Sequence, residues 1–554
     1  METVEDLFRR LEQLNEIGAA LSQEKDIDHL LEKILIAAKA VTRAAGGTLY
    51  VLEPSDEGLQ LRFAIMRNES MGIAMGGTTG NPIPFYPVQL YGKDGTPNKQ
   101  MVAAYTALTG KTVNIVDAYT EEGFDFSGTR NFDKKTGYRS KAFLTVPMKN
   151  HESEIIGVLQ LINSIDPATN EIGPFSHSDQ RLAESLASQA AIALTNRHLI
   201  NQLEELFESF IELINTAIDE KSKYTGGHCQ RVPVLTMMLA EAVNETTEGP
   251  LGNFNMSEKD RYELKIAGML HDCGKVTTPV HVVDKATKLE TIFDRINLVD
   301  TRVEVLKRDL EIASLKEKLK LLGESALDEV AARKRLAQID QTLRERLRQV
   351  EGDREFLRHA NVGGEAMAAE ERERVNRIGT GYKWIDVSGG TADFLTDDEI
   401  KNLTISRGTL NNEERQKINH HIVATIKMLE ALPWPKHLSH VPEYAGGHHE
   451  RMDGKGYPRG LKREQMSVQA RVMGIADIFE ALTAKDRPYK RGKTLSESLK
   501  ILGNFRLNGH IDPDLFDVFV RKKIYLRYAE QFLDPDQIDE VDESKIPGFA
   551  ANPA

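Results

Sequence analysis

The chain has 554 residues, more than one hydrophobic core usually serves, so two to four domains are expected. Apolar residues make up 40% and charged residues 28%, an ordinary balance for folded domains in water, and no apolar run approaches the roughly 20 residues that a membrane-spanning helix needs. A formal net charge of -13 argues against broad binding to DNA or RNA, which requires an excess of Lys and Arg. Two cysteines, Cys229 and Cys273, exclude a disulfide framework and fit a reducing compartment, where they read as small buried thiols. The start METVEDLFRRLEQ is acidic and amphipathic rather than basic and then apolar, so no secretory signal and a cytoplasmic location are expected.

Residues 1–198 form the first predicted unit. Val4, Leu7, Phe8, Leu11 and Leu14 recur at helical spacing, and Leu30, Leu31, Ile34 and Leu35 mark a second amphipathic helix. Strand-like runs follow at 48–52, 59–65, 112–116, 142–148 and 155–162, divided by Gly- and Pro-rich turns. Helices at both ends with strands between predict an α+β domain, an antiparallel sheet with flanking helices. The run NFDKKTGYRS at 131–140, the VPM strand at 146–148 and GVLQLIN at 157–163 resemble a GAF domain, most nearly those of cyclic-nucleotide phosphodiesterases. That subfamily carries a spaced Asn-Lys, Phe and Asp-Glu motif. Here Asn163-Ser164, Phe175 and Asp179-Gln180 stand in its place, departing at two of five positions. The resemblance implies a small-ligand sensor with a cyclic nucleotide as the candidate ligand; a dimerising scaffold is the alternative. No cysteine lies in this region to attach a bilin.

Between 199 and 219, Leu199, Leu203, Leu206, Phe210, Leu213 and Ala217 alternate at spacings of four and three, a coiled-coil seam that predicts a parallel homodimer and a helix able to couple two sites. From 290 to 390 the chain is highly charged. Ile292, Ile296, Val299, Val303, Leu306, Leu310 and Ala313 run at heptad spacing, broken at Gly323-Glu324-Ser325 and resumed by Leu336, Ile339, Leu343, Leu347 and Val350. An inserted helical hairpin is expected, covering the catalytic mouth, recruiting a partner or simply protruding.

The most telling feature is His271-Asp272 in AGMLHDCGK, followed by His421, His448-His449-Glu450, DGKGYP at 453–458 and Asp477. An imidazole offers one nitrogen, and a carboxylate can offer two oxygens to two cations held about 3.5 to 4 Å apart, close enough to polarise a phosphoryl oxygen and activate water. Residues 220–289 and 391–530 together resemble an all-α HD-GYP domain, the bacterial phosphodiesterase family that hydrolyses cyclic di-GMP. The resemblance implies that His228, His271, Asp272, His421, His448, His449 and Asp477 hold two divalent metal ions, iron or manganese, with Asp272 as the bridge. It also implies that Lys275 assists at the scissile phosphate or forms a structural salt bridge, and that Arg487 and Lys490 contact substrate phosphate. Tyr457 is expected as a loop or protein-contact residue, with a diguanylate cyclase as candidate partner, and Arg231 as a structural ion-pair partner. His29, His177, His437 and His440 read as ordinary core or surface histidines.

Some family members hold a third metal through a glutamate where this chain has Tyr224. A two-metal centre and linear pGpG as product are therefore expected. Two alternatives stay open: an inactive domain that senses nucleotide or recruits a cyclase, and a hydrolase of another cyclic nucleotide. Residues 531–554 are expected as a C-terminal tail.

Overall fold

The computed structural model describes residues 4–56, 58–166, 169–221, 227–323, 329–364, 366–485 and 492–549. It divides into two compact units, Met1–Glu208 and Ser209–Ala554. Among the described residues no helix is long and apolar enough to cross a membrane.

The first unit runs α1 (Val4–Gln23), α2 (Ile27–Thr42), β1 (Ala44–Ser55), β2 (Gly58–Asn68), β3 (Ile73–Gly76), β4 (Val88–Gln89), α3 (Val102–Thr109), β5 (Val113–Ile115), α4 (Ser127–Thr136), β6 (Phe143–Lys149), β7 (Ile155–Ile165), β8 (Ile172–Gly173) and α5 (His177–Lys221). The strands make one antiparallel sheet in the order β3-β2-β1-β7-β6-β5, with β4 on β2 and β8 on β7. Leu49 of β1 stands opposite Leu159 of β7, which stands opposite Val146 of β6. These three point to one face, where Leu30, Ile34 and Leu35 of α2 and Leu182 and Leu186 of α5 close a core. Gly47 permits the close approach, since a Cβ there would lie 2.8 Å from Leu35 Cδ1 and 3.2 Å from the Gln160 carbonyl. The other face packs Tyr50, Leu61 and Val158 against Ala103 and Ala104 of α3. The predicted α+β architecture is the one observed; the two-residue strands β4 and β8 are too short to show a period in the sequence.

The GAF-like motif residues are structural. Asn163 sits at φ 58°, accepts from the Lys141 and Ala142 amides at 2.8 and 3.0 Å, and donates to Tyr138 Oη and the Arg139 carbonyl at 2.9 and 2.8 Å. Asp179 pairs with buried Arg10 and accepts from the Ser176 amide at 2.9 Å. A separate cavity of about 440 Å³ opens on the α3 side of the sheet, lined by Tyr50, Phe63, Phe85, Phe126, Phe132 and Phe143 among others.

The predicted boundary at 198/199 falls inside α5, which is continuous from His177 to Lys221. Its seam residues Leu199, Leu203, Leu206, Phe210 and Leu213 are exposed, whereas Ile211 and Ile218 are buried.

The second unit is largely helical: α6 (His228–Asn244), α7 (Glu258–Leu270), α8 (Val280–Val283), α9 (Ile296–Gly323), α10 (Glu329–Asn361), α11 (Ala369–Gly381), β9 (Lys383–Ile385), β10 (Thr391–Asp393), α12 (Asp397–Leu403), α13 (Asn412–Glu430), α14 (Val441–Gly446), α15 (Val468–Thr483), α16 (Leu495–Leu507), α17 (Pro513–Arg521) and α18 (Ile524–Phe532). The insertion is more than a hairpin. α9 and α10 are joined by α11 and the β9–β10 ribbon around a core of Val299, Val303, Val350, Leu357, Val375 and Phe394. Nor do the described residues after 530 form a free tail. Gln537 Nε2 donates to the Thr483 and Lys493 carbonyls at 2.8 and 3.1 Å, Ile546 is buried, and a Cβ on Gly503 would meet the Pro547 carbonyl at 2.4 Å. Polar and apolar residues are mixed along 531–549, so no period announces this packing.

Candidate metal centre

Five segments of the second unit deliver the candidate ligands. His228 is the first residue of α6, and His271 caps the C-terminus of α7, with Asp272 next. These helices touch closely, a Cβ on Gly268 lying 3.2 Å from Pro233 Cα. The turn after Asp272 is pressed onto α13. The Gly274 amide donates to Thr425 Oγ1 at 2.9 Å, and a Cβ on Gly274 would fall 2.0 Å from the His421 carbonyl, so any side chain there would force the turn away. His421 comes from the middle of α13 and is buried, while neighbouring His420 is exposed. His448 and His449 follow α14, and Asp477 lies on α15.

These seven side chains converge. His228, His271 and Asp272 form one group whose donor atoms lie within 4.8 Å of one another, and His421, His448 and His449 form another. Asp272 stands between them. Its Oδ2 is 3.0 Å from His228 Nε2 and 3.2 Å from His271 Nε2, while its Oδ1 is 3.2 Å from His421 Nε2. Asp477 Oδ1 is 3.4 Å from His228 Nε2 and 4.0 Å from His271 Nε2, on the first group's side. His449 Nε2 lies 3.2 Å from His421 Nε2.

The rings are oriented from behind. Nδ1 of His271, His421 and His448 donates to the carbonyls of Gly268, Ile418 and Ala445 at 2.7, 2.5 and 2.6 Å. A carbonyl only accepts, so Nδ1 carries the proton and the Nε2 lone pair faces inward, the arrangement of metal-binding histidines. His228 Nδ1 instead donates to Glu480 Oε2 at 2.5 Å, and Glu480 is held by Arg231 Nε at 2.8 Å. Burial would raise the Glu480 carboxyl, but His228 and Arg231 hold it at about 2. Burial would also lower the His228 imidazole; the Glu480 carboxylate overrides it and draws that group up to about 10. Burial, aided by neighbouring His271, lowers His448 to about 4, and burial with His448 and His421 beside it takes His449 well below the usual range. Asp272 is opposed by burial, yet Lys275 and His271 hold it far below an ordinary carboxylate. His448 and His449 are thereby neutral beside an ionised Asp272, the ligand-competent forms, whereas His228 carries a proton that it would release on taking up a cation.

The residues fit a cation pair on a further ground. Asp272 Oδ1 and His448 Nε2 are buried without a hydrogen-bond partner among the described residues, a costly state for polar atoms unless something else satisfies them. The mixed nitrogen and oxygen donor set suits first-row divalent ions.

Lys275 points its ammonium at Asp272 and remains partly exposed. Tyr457 stacks on His449, ring centroids 4.8 Å apart. Arg231 makes the expected ion pair, with Glu480. His440 turns to Glu263, its amide donating to Oε1 at 2.6 Å. Burial pushes Cys273 up to about 11 and Cys229 higher still, so both thiols stay protonated. Arg487 and Lys490 lie outside the described residues, as does Tyr224. Sequence reasoning missed Glu480, although its place three residues after Asp477 on one helical face was a usable signal. It also missed Asp219 and Lys221 at the end of α5. The Gly227 amide, which begins the turn into α6, donates to Asp219 Oδ2 at 3.2 Å, and Lys221 Nζ donates to the Val276 carbonyl and, at 3.5 Å, to that of Lys275.

An α+β sensor-type unit and a helical unit with a His/Asp centre thus share one chain. Comparison with known families agrees: the family described as GAF domain matches residues 26–194, and two described as HD domain match 225–360 and 397–515. The chain therefore carries a GAF domain and an HD domain. Similar curated proteins include a 3'3'-cGAMP-specific phosphodiesterase 1 of Vibrio cholerae, 40% identical over 114 residues, 21% of this chain and 26% of that one. A cyclic di-GMP phosphodiesterase of Pseudomonas aeruginosa is 46% identical over 74 residues, 13% of this chain and 17% of that one. A third, a cyclic di-GMP phosphodiesterase of Thermotoga maritima, is 32% identical over 120 residues, 22% and 32% of the two chains. The matched stretch is thus less than a third of each of the first two proteins and 32% of the third. Among solved structures, the GAF domain of an Acinetobacter phosphoenolpyruvate-protein phosphotransferase aligns at 14% identity with a TM-score of 0.26, covering 35% of this chain and 98% of that one.

Proposed function

We propose that the HD domain is a metal-dependent phosphodiesterase of cyclic dinucleotides, with cyclic di-GMP as substrate and linear pGpG as product. The observation that carries this reading is Asp272, which turns one carboxylate oxygen to His228 and His271 and the other to His421. Proteins similar to this chain are named as phosphodiesterases of cyclic di-GMP and 3'3'-cGAMP.

His228, His271, Asp272 and Asp477 would hold one ion, and His421, His448, His449 and the second oxygen of Asp272 the other; iron or manganese suits these donors. Such a pair, when bound, supplies Lewis acidity toward a phosphoryl oxygen and lowers the pKa of a water. The chain's own groups do the rest. The Lys275 ammonium adds positive charge beside Asp272, where a phosphodiester's negative charge would grow during cleavage. The Tyr457 ring covers one face of His449 and limits water access there. Arg487 and Lys490, outside the described residues, are by their chemistry the proposed contacts for substrate phosphate.

The GAF domain regulates this centre. Its cavity is of ligand size, and the aromatic lining favours a flat, apolar-faced molecule such as a nucleobase. The Arg67 guanidinium on the wall already bonds Glu32 at 2.6 Å and the Met75 carbonyl at 2.8 Å, which leaves it little to offer a ligand phosphate. The exposed leucine seam of α5 pairs two chains in parallel, and Asp219 and Lys221 carry a shift of that helix to the backbone beside His228 and Lys275.

The deciding test incubates iron- or manganese-loaded protein anaerobically with cyclic di-GMP, 3'3'-cGAMP and mononucleotide cyclic phosphates, and separates the products. Linear pGpG is expected from cyclic di-GMP, with turnover abolished in Asp272→Ala. Faster cleavage of 3'3'-cGAMP would move the substrate assignment, and activity surviving in Asp272→Ala would defeat the two-ion reading.

A further inference from the structure

The outer face of α9 carries a second apolar stripe that the insertion's own core does not use. The inward stripe of Val299, Val303, Leu306 and partly buried Leu310 packs toward α10, α11 and Phe394. Offset from it, Val305, Ile312, Leu315, Leu319 and Leu322 recur at heptad spacing and are 36, 47, 57, 69 and 66% exposed. Positions 305, 312 and 319 are one heptad apart, as are 308, 315 and 322, so the two sets make the a and d lines of a coiled-coil seam about 27 Å long, with Arg308 the one polar member. Monomeric surfaces rarely hold such a stripe in water without a partner.

The charges beside the stripe say which partner. Asp309 and Glu311 flank its first half, Lys316 and Lys318 its second. Asp309, Glu311 and Lys316 have no ion-pair partner among the described residues, while Lys318 also reaches Asp340. We propose that α9 docks antiparallel on α9 of a second copy of this chain, about a two-fold axis passing between Ala313 and Ser314. That single axis layers Ile312 on Leu315 of the partner, Val305 on Leu322 and the Arg308 stem on Leu319. It also brings Asp309 to the partner's Lys316 on one side of the seam, and Glu311 to the partner's Lys318 on the other. A parallel pair would set Glu304 against Asp309 and layer Arg308 on Arg308, two like-charge contacts that the antiparallel pair avoids. The axis lies across α9, whereas that of a parallel α5 pair lies along α5.

Disulfide trapping in the full chain tests the register. Under mild oxidation Ile312→Cys combined with Leu315→Cys is expected to give a covalent dimer, and Ile312→Cys alone none. Adding Lys316→Glu to the double variant should lower the dimer yield at least fivefold, and adding Asp309→Lys as well should restore it. Circular dichroism of each variant checks that helix content is kept. No trapped dimer in the double variant, equal trapping by Ile312→Cys alone, or a yield indifferent to Lys316→Glu would each overturn the antiparallel α9 contact, the first leaving the stripe to a different partner.

Discussion

Glu480 illustrates how much of this centre rests on groups that would touch no metal. It is nearly fully buried, bonds His228 Nδ1 and is pinned by Arg231. Partners of this kind set the tautomer and basicity of a ligand and are typically worth 10- to 100-fold in metal affinity or activity. Glu480→Gln keeps the shape but removes the negative charge that fixes His228. We expect metal affinity and turnover to fall about 10- to 100-fold, read by metal titration and steady-state hydrolysis; unchanged affinity would show that His228 needs no such support. The seven candidate ligands were legible in the sequence because HD chemistry demands particular side chains, and imidazoles and carboxylates in that order seldom arise by chance. Glycine's part was not legible. Gly274 reads as an unremarkable turn residue, yet the separation of His271 from His421 depends on its backbone lying against that of α13.

Among the elements, α5 carries the most consequence. Its beginning is buried in the GAF core and its end holds the backbone beside His228 and Lys275, through Asp219 to Gly227 and through Lys221 to Val276. If Lys221 positions the turn bearing Lys275, Lys221→Met in the full chain should lower kcat roughly tenfold while KM, metal content and thermal stability stay near those of the parent, and Lys221→Arg should recover most of the loss. A parallel fall in metal content would mark Lys221 as merely structural. The strands of the sheet were readable because each buries one face, and α5 because its apolar residues keep a helical period even where, from Leu199 to Leu213, they stand exposed. The extra helix α11 and the β9–β10 ribbon escaped because their contribution to the insertion's core comes from a few scattered side chains, such as Val375, Ile378 and Phe394, too few to set a period.

For the chain as a unit of stability, the second unit can be followed by itself. Both tryptophans, Trp384 and Trp434, lie in the second unit, so tryptophan fluorescence reports on that unit alone. A cation that binds the folded centre and not the unfolded chain stabilises by about 2.7 kcal/mol at 100 times its Kd. Stripping metal with a chelator should therefore lower the fluorescence-detected Tm by several degrees, and iron or manganese should restore it. An unchanged Tm would speak against a centre loaded at these histidines.

Composition and spacing sufficed for the candidate ligands and the classes of the domains, since reactive residue types and apolar periods are local properties of a chain. They could not reveal that Asp272 faces two histidine groups with separate oxygens, that Glu480 stands behind His228, that residues 531–549 fold back onto the HD helices, or that the outer stripe of α9 lies bare. Each of these depends on which backbones approach one another, and such approaches are set by long-range packing between segments up to some 250 positions apart.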